Sequence, residues 1–348
     1  MIHGKLLKTY LGPVVSKKTH LPILGTIHFT ADGHAEATDF ENHISIQVAN
    51  NVECLLPWDL VKKLGDFTIV QPSKDKVILQ SGKKTVEYAL EYPVDEYPKH
   101  REVDAKGHRV VVSIDELLHV FDFVSVDETR QSLCGVMLSP DGLAATNGHI
   151  MCWYQKSLSG QKFEPVILSA DMVRQIKRLA KKGCGDLEFL LDDYGALVTK
   201  VWASGHPIVK LTGRLIGGPY PNLRQLVPDQ GKLWPLDIDT SEWLAIIREL
   251  QPLTEDYHNR VQIECGSGEV RFVADNNRTK TVLEYPKGIG VVGRIDFNAS
   301  KLLQMSPDTK LHLQHEDGQI APDRPIICTN DCGLHMQCMP LEYEGWNV

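Results

Sequence analysis

Four soft metal-ligand side chains, Cys328, Cys332, His335 and Cys338, fall within eleven residues, a density that a zinc site would use if all four donors converged. The residues between them read as a hairpin instead. Asn330 to Gly333 forms the turn, and beyond it Leu334, Met336 and Cys338 alternate on one face with His335 on the other. Donors on opposite faces cannot meet at one ion, so no metal is expected. His28, His34 and His43, like His312 and His315, have no carboxylate or thiol at ligand spacing and are read as surface or strand residues. His149, after Gly148, is a candidate acid-base group, but no nucleophile and orienting residue accompany it, and neither a Gly-rich phosphate loop nor a Gly-x-Ser-x-Gly elbow occurs. The chain is read as a binding protein and not an enzyme, with no cofactor.

The charged pattern with the clearest chemistry lies in the stretch Ser169 to Lys182. Val173, Ile176, Leu179 and Ala180 make an apolar face, and Arg174, Lys177, Arg178 and Lys181 make a separate basic stripe at helical spacing. Such a stripe suits phosphates, which attract cations without regard to base sequence; a solvated surface face is the bland alternative. Lys5, Lys8, Lys62, Lys63, Arg248 and Lys301 add positive charge on other helical stretches, whereas Asp115, Glu116 and Asp122 make the set unevenly basic.

The elements that would position these groups recur three times. Strand, Asp or Asn turn and strand repeat around Asp39, Asn147 and Asp275. Each turn follows an amphipathic helical stretch (Lys5 to Val15, Ile114 to Val126, Ser241 to Leu250) and precedes a second (Pro57 to Leu64, Ser169 to Lys182, Asn298 to Met305), with Ser169 and Asn298 as N-caps. Glu96 to Pro98 and Pro219 to Pro221 are matching closures in the first two thirds. The pattern predicts three α+β domains, 1–105, 106–232 and 233–348, each with two helices and many short strands.

The whole has 348 residues, of which 42% are hydrophobic and 24% charged, which excludes a disordered chain. A net charge of −8 argues against indiscriminate coating of nucleic acid but permits a local basic surface. Lys8 breaks the only apolar run near the start, so neither a signal peptide nor a membrane span is read, and the eight cysteines are expected to be reduced thiols in a cytoplasmic protein.

Along almost its whole length the chain resembles the bacterial sliding clamp, the β subunit of DNA polymerase III. The resemblance is carried by His20 to Gly25, Leu133 to Leu138 with Ala145 to His149, Arg214 to Pro228, and Met339 to Leu341, four motifs in family order. It implies three tandem DNA-clamp domains per subunit, two helices packed on antiparallel sheets in each, and a homodimeric ring with helices lining the hole. It also implies a processivity factor that encircles double-stranded DNA and tethers the replicative polymerase and clamp loader subunits. A clamp-like interaction scaffold, or a specialised paralogue, is the alternative.

Carried over by motif, the partner-peptide pocket comprises Leu133, Thr146, Gly148, His149, Met151, Pro221, Leu226, Met339, Pro340 and Leu341. Leucine and methionine supply adaptable apolar contact and glycine permits close backbone approach; without the family, Leu133 and Leu226 read as core. Lys18 and the stripe Arg174, Lys177, Arg178 and Lys181 would face DNA, and Arg130 matches a basic family position near the pocket. The family has Asp-Gly-His-Arg-Leu where this chain has Asn147 to Met151, and this chain continues past the Met-Pro motif through Glu342 to Val348, a tail read as either covering the pocket or disordered. The ring interface would draw on Val86, Tyr88 and Leu90, or on Glu87 and Ala89, with Leu253 in the matching part of the third domain.

Overall fold

The computed structural model describes residues 1–15, 21–73, 75–99, 103, 108–158, 163–180, 186–192, 195–200, 209–236, 238–254, 259–266, 268–276, 279–285, 290–305 and 308–341. By contacts the chain divides into two compact units. One comprises Met1–Phe121, Leu138–Pro140 and Leu158–Gly217, and the other Asp122–Met137, Asp141–Ser157 and Gly218–Val348.

In the first unit an antiparallel sheet runs through Cys54–Pro57, Thr26–Phe29, His34–Thr38, Asn42–Gln47, Val209–Ile216, Gly195–Lys200, Asp186–Leu191 and His108–Ser113 in spatial order. A separate three-stranded sheet is built from Thr68–Ser73, Lys76–Ser81 and Lys84–Ala89. In the second unit the order is Gly142–Thr146, Ile150–Gln155, Leu334–Cys338, Ile326–Thr329, Lys310–Glu316 and Leu233–Pro235. Its four-stranded sheet runs Lys280–Tyr285, Val270–Asp275, Arg260–Cys265 and Gly293–Asn298.

All six expected helical stretches form, most of them shorter than the sequence suggests: Gly4–Tyr10, Trp58–Val61, Ile114–Phe121, Ala170–Ala180, Thr240–Leu250 and Ala299–Leu302. Each buries the face its spacing dictates. Leu117 and Val120, and Trp243, Leu244, Ile247 and Leu250, are at most 1% exposed, as apolar residues three, four and seven apart require. The expected caps are present, with Ser169 Oγ accepting from Met172 N at 3.2 Å and Asn298 Oδ1 from Lys301 N at 3.2 Å. These satisfy amides that have no carbonyl partner in the first turn.

The turns recur at atomic level. Asp39 N donates to Asn42 O and its carboxylate accepts from Asn42 N at 2.6 Å; Asn147 N donates to Ile150 O and its amide oxygen accepts from Ile150 N at 3.1 Å. In the third copy the residue that does this is Asn276, not Asp275: Asn276 N donates to Thr279 O and Oδ1 accepts from Thr279 N at 2.8 Å. Asp275 instead ends its strand, paired with Lys280. Either side chain can make such a turn, and the strand register selects between them.

Candidate partner-binding surface and basic helix face

The surface around Gly148 is organised by its turn. Thr146 Oγ1 donates to Ile150 O at 2.8 Å and accepts from Gly148 N at 3.1 Å, while Asn147 Oδ1 accepts from His149 N at 3.0 Å. Gly148 has φ +91°, a conformation that favours glycine, and a Cβ there would lie 2.8 Å from Arg130 Nη1, so that side chain would have to move. Arg130 is held by Asp127, its Nε 3.1 Å from Oδ2, and hydrogen bonds from Thr129 and then Arg130 keep that exposed carboxyl below the usual range. The guanidinium against Gly148 supplies positive charge beside the turn.

Beneath the turn, Met137, Ala144, Met151, Trp153 and Leu223 form an apolar cluster joined by Tyr220 and Val227. Tyr220 Oη accepts from Thr146 N at 3.0 Å, and burial raises its pKa, keeping the hydroxyl neutral. Two other segments are tied to the same frame. Met339 N donates to His149 O at 2.8 Å, and Leu341 N donates to Asp296 O at 2.8 Å. Gln337 Nε2 lies 2.9 Å from Leu226 O and 2.8 Å from His335 Nε2. Asp296, 2% exposed, is itself held by Arg260 at 2.8 Å and Gln262 at 2.9 Å.

All ten residues expected at the pocket therefore belong to one compact unit. Gly148, His149, Pro221, Leu226 and Met339 are exposed, and Pro340 and Leu341 are half-buried. Leu133, Thr146 and Met151 are buried. Leu133 is the core residue its sequence suggests. Leu226 is not: it is 50% exposed, and its carbonyl accepts from Gln337 Nε2. Glu342 to Val348 lie outside the described residues.

On helix Ala170–Ala180 the two faces separate as expected. Val173 and Ile176 are buried with Met172 and Gln175, and Arg174, Lys177 and Arg178 are exposed. Arg174 pairs with Asp171, and Arg178 Nη1 lies 3.2 Å from Gln175 Oε1. Lys18 and Lys181 lie outside the described residues.

No family model matches the chain. The β sliding clamp of Synechococcus elongatus is 26% identical over 278 residues, 72% of each chain. The Caulobacter (C. crescentus) β sliding clamp, solved with polyethylene glycol bound, superposes with a TM-score of 0.79 at 20% identity over 98% of both chains. The Pseudomonas aeruginosa β subunit bound to griselimycin gives 0.77 at 18%, covering 98% of this chain and 97% of that one. The chain has the fold of the bacterial β sliding clamps and is similar in sequence to one of them.

The Cys328 hairpin forms as read. Asn330 Oδ1 accepts from Cys332 N and Leu334 N, each at 3.0 Å, and Cys332 is exposed while Cys328 and Cys338 are buried. Burial raises the Cys328 thiol to about 12, so it stays protonated. His335 is more enclosed than an alternating strand suggests, at 6% exposure, because strands flank Leu334–Cys338 on both sides.

The expectation for His28 and His43 is corrected. Their supporting carboxylate is Glu36, on the neighbouring strand: Oε2 lies 3.3 Å from His28 Nδ1 and 3.5 Å from His43 Nε2. Burial alone would raise the Glu36 pKa, but the two imidazoles outweigh it and hold the carboxyl well below its ordinary range. Glu53 lies on the far side of His28, 3.6 Å from Nε2. Sequence spacing could not find this cluster, because strand pairing of residues eight apart assembles it. His34 lies beside Asp32, Nδ1 to Oδ2 3.3 Å.

Proposed function

We propose that this chain is a DNA sliding clamp that closes as a head-to-tail homodimer of three-domain subunits (1–105, 106–232, 233–348) around double-stranded DNA. It tethers the replicative polymerase and clamp loader subunits through a short apolar peptide at the Gly148 surface, and it works in the cytoplasm. The observation that carries this reading is the presentation of Leu226 and Met339, exposed by 50% and 42%, on a frame of backbone and Gln337 hydrogen bonds. Rigid presentation lowers the entropy cost of peptide capture. The basic stripe Arg174, Lys177 and Arg178 supplies sequence-independent attraction to phosphates, and among the described residues no helix is long and apolar enough to cross a membrane.

For ring closure, two copies of a heterologous contact join complementary patches. Among the described residues Lys84–Ala89 pairs on one side only, with Lys76–Ser81. Val86 and Tyr88 pair with buried Leu79 and Val77, so they share the inward face and leave the backbone edge with Glu87 and Ala89 outward. Leu253, 36% exposed, matches the third-domain side.

The test is topological. The protein is loaded onto nicked circular DNA by a cognate loader, the salt is raised, and the circle is cut once. Retention at high salt followed by release on cutting supports the clamp, because a closed ring stays threaded after phosphate contacts are screened. Loss from the uncut circle with salt, or retention after cutting, overturns it.

A further inference from the structure

The turn that frames the Gly148 surface has a twin in the first unit, matched bond for bond. Thr38 Oγ1 donates to Asn42 O at 2.9 Å and accepts from Phe40 N at 3.1 Å, as Thr146 does with Ile150 O and Gly148 N. Phe40 adopts φ +73°, the counterpart of Gly148 at +91°. Arg214 N donates to Glu41 O at 3.1 Å, as Met339 N does to His149 O. Tyr97, 5% exposed, lies against the Thr38 backbone as Tyr220 does against Thr146.

Counting from the two threonines places chemically opposite side chains at equivalent points. His43 pairs with Thr38 and Met151 with Thr146. Glu36 and Ala144 each stand two residues before the threonine; Glu36 pairs with His28, and Ala144 clusters with Met137. The apolar floor Met137, Ala144 and Met151 thus becomes His28, Glu36 and His43. At the rim, Met339 and His149 become Arg214 and Glu41, an ion pair at 3.6 Å. A phenylalanine, 50% exposed, stands where glycine admits a ligand.

We propose that these substitutions decide which of the two equivalent turns accepts an apolar peptide, so that His28, Glu36, Phe40, His43 and Arg214 are specificity-determining residues that close the first-unit site. The inference rests on reading the Gly148 surface as the peptide site. Its physical basis is desolvation. A leucine side chain laid on the first-unit floor would strip water from a carboxylate and two imidazoles that it cannot hydrogen-bond, and the Phe40 side chain occupies the approach to the backbone. An unfavourable residue in the twin is as effective as a favourable one in the true site for setting the ratio of affinities.

The test converts the twin. The full-length variant H28M/E36A/F40G/H43M/R214M is titrated with a fluorescein-labelled extended peptide carrying two leucine anchors. Wild type should bind one peptide per protomer and the variant two. Adding Met339→Ala to the variant should remove the original site and leave the new one. One peptide per protomer in both proteins overturns the proposal alone; no binding by wild type overturns the peptide-site reading and the proposal with it. If the fivefold variant does not fold by circular dichroism, E36A/F40G/R214M, which removes the floor carboxylate together with both exposed rim side chains, is measured instead. A second, weaker binding event supports the proposal and its absence overturns it.

Discussion

The Arg130 guanidinium occupies the space a side chain at Gly148 would need, Nη1 standing 2.8 Å from where a Cβ would be. The contact joins the loop Glu128–Leu133 to the turn after Gly142–Thr146, and it sets the first expected outcome. Gly148→Ala should destabilise the protein by about 1 to 2 kcal/mol from the positive φ alone and should displace Arg130. In a double-mutant cycle, Arg130→Ala should recover only the steric part, leaving the backbone cost. Complete recovery in chemical denaturation would show that the conformation at Gly148 is unstrained.

Leu226 and Met339 are exposed yet rigidly mounted. Replacing either with alanine should weaken apolar peptide binding about 10-fold or more, since few anchors carry most of the affinity in such sites. Stability should change by no more than about 0.5 kcal/mol, as for surface positions generally. Fluorescence anisotropy and thermal melting on the same samples separate the two; equal losses in both would mean that these side chains are structural.

His335 supplies a pH dependence. Burial and then the nearby His312 lower its pKa to about 4, and its Nε2 faces the Gln337 amide. The unfolded imidazole takes up a proton near pH 6.5 while the folded one stays neutral, so the unfolded state binds more protons between these values. Stability should therefore be fully present above about pH 6.5 and fall towards pH 4, by at most about 3 kcal/mol from this residue. Urea unfolding of wild type and His335→Gln at pH 7, 6, 5 and 4 should converge as pH falls. Parallel curves would remove His335 from the acid response.

The exposed cations of Ala170–Ala180 should act through counterion release. Arg174→Ala with Arg178→Ala should lower the slope of log affinity against log salt by about 2 on duplex DNA, without sequence dependence. An unchanged slope would mean that this face does not meet phosphates.

What the residues of this chain determine by themselves is local. Apolar periodicity sets the six helices and their buried faces, and Thr146, Asn147 and Gly148 set their turn through bonds spanning four residues. Three things required the tertiary structure. The third turn moved to Asn276 because cross-strand register, not turn propensity, decides which of two competent side chains caps it. Glu36 met His28 and His43 because strand pairing converts separations of seven and eight residues into contact, which helical or ligand spacing rules do not encode. Leu226 came out exposed, its carbonyl held by Gln337, 111 residues away. Hydrophobicity states only that a side chain prefers burial; which leucines achieve it depends on how much surface the assembled strands have left.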